Sequence, residues 1–225
     1  MTATLATLTD RVELMLGDIT NVTFSTAEIT EGIREALHRY SRKRPLEVIT
    51  TLTLTATSRE QSVATLTGLL DVSEVWLPYT AASPEEPPLR RAFELWFDQK
   101  ILYFPYGVNG GYEPTAGEIA RIFYTKLQTL SGLDSETVTT IPLDDETILA
   151  AGAAAYTILP RARQTTEEVT LADQVPLSSQ ILGWAKIRLA EFEAGLARSI
   201  QRGASVPWVQ LPPLDYWDAR GRGWV

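Results

Sequence analysis

The chain has 225 residues, 28 Asp and Glu against 20 Lys and Arg, a net charge of −8, one histidine and no cysteine. That inventory excludes disulfides, zinc–thiolate sites and thiol catalysis, and it opposes any role that works by neutralising nucleic-acid phosphates. The opening MTATLATLTDRVELML lacks the basic and apolar runs of a signal peptide, and no stretch of about 18 apolar residues could span a bilayer, so synthesis in the cytosol with no membrane partner is expected.

Leu5, Leu8, Val12, Met15, Leu16 and Ile19 recur at three- and four-residue steps, which predicts a first helix from Thr4 to Leu16 with Gly17 as its stop. In Phe24-Ser25-Thr26-Ala27-Glu28-Ile29, Ser25 and Glu28 form a capping box and Phe24 and Ile29 a hydrophobic staple. A second helix therefore starts at Ser25 and buries Ile29, Ile33, Ala36, Leu37 and Tyr40. Its last turns carry Arg39, Arg42, Lys43 and Arg44, where cations suit the carbonyl end, and Pro45 ends it.

After Pro45 the hydrophobic period falls from 3.6 to 2. Leu52, Leu54 and Ala56 alternate with threonines, and Gln61–Leu66, Val72–Tyr79, Arg91–Phe97, Lys100–Phe104 and Ile119–Leu127 read as further strands. Asp98-Gln99 fits a hairpin turn. The Pro- and Gly-rich stretches 81–88 and 105–117 read as loops long enough to reach a neighbour.

A link from Thr129 to Thr140 returns the chain to PLDDETILAAGAAAYTIL, residues 142–159, where six small residues, Ala150 to Ala155, interrupt a helical pattern. Asp144 is expected as N-cap, with Asp145 and Glu146 in the positive first turn and the helix running to about Arg163. Gly152 costs about 1 kcal/mol relative to Ala inside a helix, so its presence, with Ala154 beside it, predicts a central helix approached closely by its neighbours. Pro176 opens a last helix whose Leu177, Ile181, Trp184, Leu189, Phe192, Leu196 and Ile200 form a stripe down to Gly203.

The closing SVPWVQLPPLDYWDARGRGWV has three prolines that forbid helix, yet it holds Trp208, Leu211, Leu214, Tyr216, Trp217 and Trp224. An extended segment this aromatic is expected to bury its side chains on a partner. The adjacent acids Asp144 and Asp145 are explained by capping and make no acid–base pair. His38 shares an exposed helix face with Arg34, Glu35 and Arg42 and is no catalytic candidate. No nucleophile elbow, phosphate-binding loop or metal-ligand cluster is present, so no catalytic, cofactor or metal site is expected.

The fold expected is α+β: a four-helix bundle from 1–45 and 130–202, a β-rich insertion over 46–129 between helices two and three, and an extended C-terminal arm over 203–225. LTDRVELMLGD, FSTAEITEGIREALHRYSRKRP, LSGLDSETVTTIPLDDETILAAGAAAYTIL and LGWAKIRLAEFEAGLAR, in this order and followed by the aromatic tail, resemble the head-to-tail connector proteins of tailed bacteriophages. These are also called adaptor or head-completion proteins, and the resemblance covers most of the chain.

The resemblance implies a structural virion protein of the neck, assembled in the host cytoplasm. Subunits would form a homo-oligomeric ring, a dodecamer, beneath the portal, with a tail or stopper protein on the opposite side and DNA passing through the lumen unbound. The arm, Val206 to Val225, would reach along the portal protein. An acidic conduit suits this role, because one that gripped phosphates would hold the genome back. Two alternatives come from other classes. A carbohydrate-binding β module would use Trp76, Trp96, Tyr103 and Tyr106 as a platform, although their alternation with aliphatics places them in the core. A hydrolase would need a clustered acid pair that the sequence lacks.

Overall fold

The computed structural model describes residues 3–82, 90–106, 112–168 and 175–203, with side chains described outside 162–179 and 201–203. The first helix, α1 (Leu5–Leu16), is capped by Thr4 and stopped by Gly17, whose φ of 69° lies in the left-handed region that glycine tolerates. The second, α2 (Thr26–Lys43), has the expected capping box, with the Glu28 carboxylate accepting from the Ser25 amide at 2.7 Å. Ile29, Ile33, Ala36, Leu37 and Tyr40 are all buried along it.

Among the described residues six strands follow or intervene: β1 (Leu46–Thr53), β2 (Glu60–Ser62), β3 (Leu69–Trp76), β4 (Glu94–Trp96), β5 (Ile101–Tyr103) and β6 (Ile119–Lys126). They form two antiparallel sheets of three strands each, ordered β1-β6-β3 and β2-β5-β4. β1 pairs with β6 from Leu46 opposite Lys126 to Thr53 opposite Ile119, while β3 meets β6 with register shifts near Leu69/Asp71 and Val72/Glu74. The inner faces close over one apolar core that includes Leu66, Val72, Val75, Leu102, Phe104 and Ile122. β4 and β5 pair antiparallel as the expected hairpin, Glu94 opposite Tyr103 and Trp96 opposite Ile101, and Asp98-Gln99 lie in the short 3-10 turn Phe97–Gln99 that joins them.

The strands are shorter than the alternating pattern predicts. Gln61–Leu66 pairs only as Glu60–Ser62, and Arg91–Phe97 only as Glu94–Trp96. Alternation reports which side of an extended segment is buried, and Val63 and Leu66 are buried just past β2, where the Val63 amide donates to the Lys100 carbonyl and the Leu66 amide turns back to Val63. β1 likewise begins at Leu46 and ends at Thr53, leaving Ala56 exposed beyond it.

The third helix, α3 (Glu146–Glu168), and the fourth, α4 (Val175–Gly203), complete the helical part. α3 continues through Pro160 five residues past the expected end at Arg163. It touches each of the other three helices, and its Leu149, Ala150, Ala153 and Ala154 are 0% exposed. Leu130, Leu133 and Ile141 from the connecting segment join the same core, so the link between the sheets and α3 is packed into the helical layer. Among the described residues, four helices around one core and two small sheets around another make a mixed α and β fold.

Candidate functional site

At the start of α3 the structure departs from the sequence reading. Leu143–Asp145 form a 3-10 turn preceded by Pro142 in the N-cap position, so Asp144 is not the cap. Asp145 does not face solvent in a first turn; it is 1% exposed. Its Oδ2 accepts from the Tyr40 hydroxyl at 2.6 Å and from the Ser199 hydroxyl at 2.6 Å, and it forms an ion pair with Arg44. The Arg44 guanidinium also donates to Ser199 Oγ.

Burial, and next the bond to Asp145, push the Tyr40 hydroxyl above its ordinary value. The cluster joins the end of α2, the entry to α3 and the last turns of α4. A buried carboxylate survives there because three donors satisfy it. All three converge on it from other helices, which is a clamp and offers no nucleophile–base pair. Ser199 stands four residues before Gly203, where α4 ends, so the clamp fixes the point from which the C-terminal segment departs.

A second arrangement brings backbones together. A Cβ on Gly152 would lie 2.7–2.9 Å from the Phe192 ring of α4, so that glycine is required by close approach. Ala154, two residues further along α3, is fully buried in the same core. On the other side Gly32 of α2 meets α3, where a Cβ would fall 2.1 Å from Thr157 Oγ1 and 2.7 Å from the Ala153 carbonyl. The small-residue run of α3 announces the contact with α4. Gly32, which stands alone between Glu31 and Ile33 and not in a run of small residues, carried no comparable signal.

Trp76, Trp96, Tyr103 and Tyr106 lie outside the buried β core, contrary to the expectation that they belong to it, whereas Phe104 and Tyr124 are buried in it. Trp96 is 37% and Tyr106 72% exposed. Trp96 stacks on Tyr103 at 4.9 Å, Tyr106 lies under the Arg59 guanidinium, and Trp76 packs against Phe123 with the Arg121 guanidinium beside both. The inward positions belong to their neighbours Val75, Leu77, Leu95 and Leu102, and alternation turns the aromatics outward. Trp76 belongs to the first sheet and Trp96 and Tyr103 to the second, so the four do not line one sheet as a common platform.

The SU10 adaptor protein family matches residues 3–211, nearly the whole chain. The chain belongs to that family. It is a tailed-phage head-to-tail adaptor, a structural protein. No curated protein matches it. A chain in the solved structure "Neck of empty GTA particle computed with C6 symmetry" is similar over 68% of this chain and 76% of its own length, at 15% identity and a TM-score of 0.31.

For an adaptor the relevant residues are those that hold its shape and those that meet partners. The docking candidates Trp208, Leu211, Leu214, Tyr216, Trp217 and Trp224 lie outside the described residues. The basic run at the end of α2 divides in two. Arg39 binds Glu193 of α4 at 2.9 Å and Arg44 serves the clamp, whereas Arg42 and Lys43 are exposed. Among the described residues of the adaptor no cluster of acids and histidines could hold a metal ion, and no helix is long and apolar enough to cross a membrane.

Proposed function

We propose that this adaptor forms a homo-oligomeric ring, a dodecamer, beneath the portal of the filled head. The arm, residues 206–225, binds the portal protein, a tail or stopper protein docks on the opposite side, and DNA passes through the lumen. The working units are the bundle of residues 1–45 and 130–202, the β-rich insertion of 46–129, and the arm of 203–225. Subunits are made in the host cytoplasm and end in the neck of the virion. The role is mechanical and not enzymatic.

The observation that carries this reading is the family match, which runs to residue 211 and so enters the aromatic arm. Two further features support it. The clamp of Asp145, Tyr40, Arg44 and Ser199 ties the last turns of α4 to two other segments of the helical core, the end of α2 and the entry to α3, as a load-transmitting attachment requires. The net charge of −8 leaves a conduit without net attraction for DNA phosphates. Imaging particles that carry a labelled copy of the chain tests the proposal. Label density in a ring between portal and tail is expected, and label on the capsid shell or tail fibre would refute it.

A further inference from the structure

We propose that residues 204–211, the proximal part of the arm, add to the open edge of β1 in their own subunit as a parallel strand when the distal part is held by the portal. The inference rests on the arm reading and deepens it: of the docking candidates, Trp208 and Leu211 then lie on the subunit's own sheet, and Leu214, Tyr216, Trp217 and Trp224 remain to meet the portal.

β1 is the last strand of its sheet, and its outer edge is open. Leu46–Thr53 pairs with β6 residue for residue without a bulge, and among the described residues nothing pairs with its other side. Just past β1 the Leu54 amide donates to the Glu118 carbonyl at 2.8 Å, so by alternation Glu47, Ile49, Thr51 and Thr53 point their amides and carbonyls out of the sheet. Natural edges carry lysine, proline or a bulge against strand addition, and β1 has none of these. The opposite edge is guarded: β3 bears register shifts, and the Arg91 amide donates to its Val75 carbonyl. The core is also open along β1. No β1 residue is buried, although Val48 and Leu52 pack against the β core, whereas Ala120, Ile122 and Tyr124 of β6 beside them are buried.

The arm is the occupant because it leaves the bundle where β1 does. Arg39 binds Glu193 and Arg44 binds Ser199, so α2 and α4 run side by side in the same direction. Gly203 lies about 6 Å beyond Ser199 along α4, and Leu46 about 7 Å beyond Arg44 along the extended chain. Ala204 therefore comes level with Leu46, and Leu211 with Thr53, so the segment before Pro212 matches β1 in length.

The prolines fit that register. In a parallel pair, of two residues level with each other one turns its backbone groups to the partner strand and the other turns them away. Pro207 is level with Ile49, whose groups face the arm, so Pro207 falls in the phase that makes no bond to β1 and its missing N–H removes none. Val206, Trp208 and Gln210 fall in the bonding phase. Pro212 falls in it too, just past Thr53, and ends the ladder where β1 ends. The residue before a proline is kept extended, which suits Val206 and Leu211 to a strand. Trp208 then comes down on the core side between the half-buried Val48 and Leu52, while Val209 joins Thr51 on the outer face. A single added strand returns little beyond the entropy of ordering its residues, so the free subunit gains no measurable stability from it; anchoring 212–225 on the portal already restricts the segment and tips the balance.

Hydrogen exchange read residue by residue tests this, on the full chain free and bound to portal rings. Exchange at Glu47, Ile49, Thr51 and Thr53 is expected to slow by about tenfold or more on binding, while Val48, Thr50 and Leu52, already bonded to β6, do not change. Thr51→Pro takes away one outward donor and no β1–β6 bond, so it should keep the melting temperature of the subunit and lose the new protection at Ile49 and Thr53. The absence of native cysteine adds a second readout. Thr51→Cys with Val209→Cys, level in this register, should oxidise in the portal complex to a species that runs as a single chain on a denaturing gel. Portal binding with the four edge amides unprotected overturns the strand addition and leaves the arm reading standing, and a covalent ladder in place of the single chain overturns the placement within one subunit. If the unaltered chain does not bind portal rings, the arm reading falls and this inference with it.

Discussion

A Cβ on Gly152 would sit 2.7 Å from Cδ2 of Phe192, so α3 and α4 meet with a bare backbone against the face of a ring. Phe192 is itself 0% exposed and cannot swing aside into solvent. Overpacking such a contact costs about 1–3 kcal/mol. Gly152→Leu and Ala154→Leu should therefore lower the melting temperature by several degrees, since about 1 kcal/mol corresponds to roughly 2–4 °C at this size. His38→Ala, at an exposed position, should stay within about 0.5 kcal/mol of the parent. Thermal unfolding of the three variants side by side checks the ranking.

Asp145 should be the most sensitive polar residue of the subunit. Asp145→Ala strands the Tyr40 and Ser199 hydroxyls and leaves Arg44 without its carboxylate. A loss of about 3 kcal/mol is expected, toward the low end for breaking a buried pair, because Arg44 keeps 28% of its side chain exposed. Tyr40→Phe removes one donor and should cost about 1 kcal/mol. A double-mutant cycle between the two positions, read by denaturant unfolding, should show strong coupling. The tyrosine also titrates above its ordinary value of 10.0, so its share of stability is intact below pH 10 and is lost as pH rises through the higher folded value. The Tyr40→Phe protein should lack that alkaline loss.

The α1–α2 turn should loosen in acid. Asp18 is held below its ordinary carboxylate value of 3.8, chiefly by the Phe24 amide, with burial acting in the opposite sense and the Thr23 and Val22 amides adding to the lowering. A depressed folded value means that the stabilisation is fully present above pH 3.8 and disappears as pH falls through the folded value. Hydrogen exchange at Val22, Thr23 and Phe24 should therefore quicken below that pH more than exchange in the middle of α2. In Asp18→Asn the contrast between neutral and acid pH should shrink.

Much of the helical architecture was legible because its signals are local. The Ser25–Glu28 box, the Gly17 stop and the change of period at Pro45 each act within a few residues, and the structure shows each one. The strands were found but drawn too long, since alternation detects burial and cannot tell whether a neighbour is near enough to pair. The aromatics Trp76, Trp96 and Tyr103 were placed on the wrong side for a related reason: alternation gives two faces and does not say which is the core. Asp145 was misread because its role depends on Tyr40 and Ser199, 105 and 54 residues away. An acid beside another acid at a helix start looks like a cap until the distant hydroxyls are brought to it. Gly32 was missed on the same grounds, since its reason for being glycine is Thr157.

The most direct test of the adaptor account is the arm. Among the described residues the helical core ends at Leu196, and removing 206–225 is expected to leave both cores intact. In the intact chain Trp208, Tyr216, Trp217 and Trp224 can each bury roughly 150–250 Å² on a partner, and Pro207, Pro212 and Pro213 limit the entropy lost when they do. At about 25 cal/mol per Å² even partial burial can outweigh ordering costs of about 2–5 kcal/mol. The measurement is binding of full-length and truncated chains to isolated portal rings, followed by sedimentation, with melting temperatures recorded for both. The account predicts equal melting temperatures, tight binding by the full chain and none by the truncated one; unaltered binding after truncation, or an unfolded truncated chain, would contradict it.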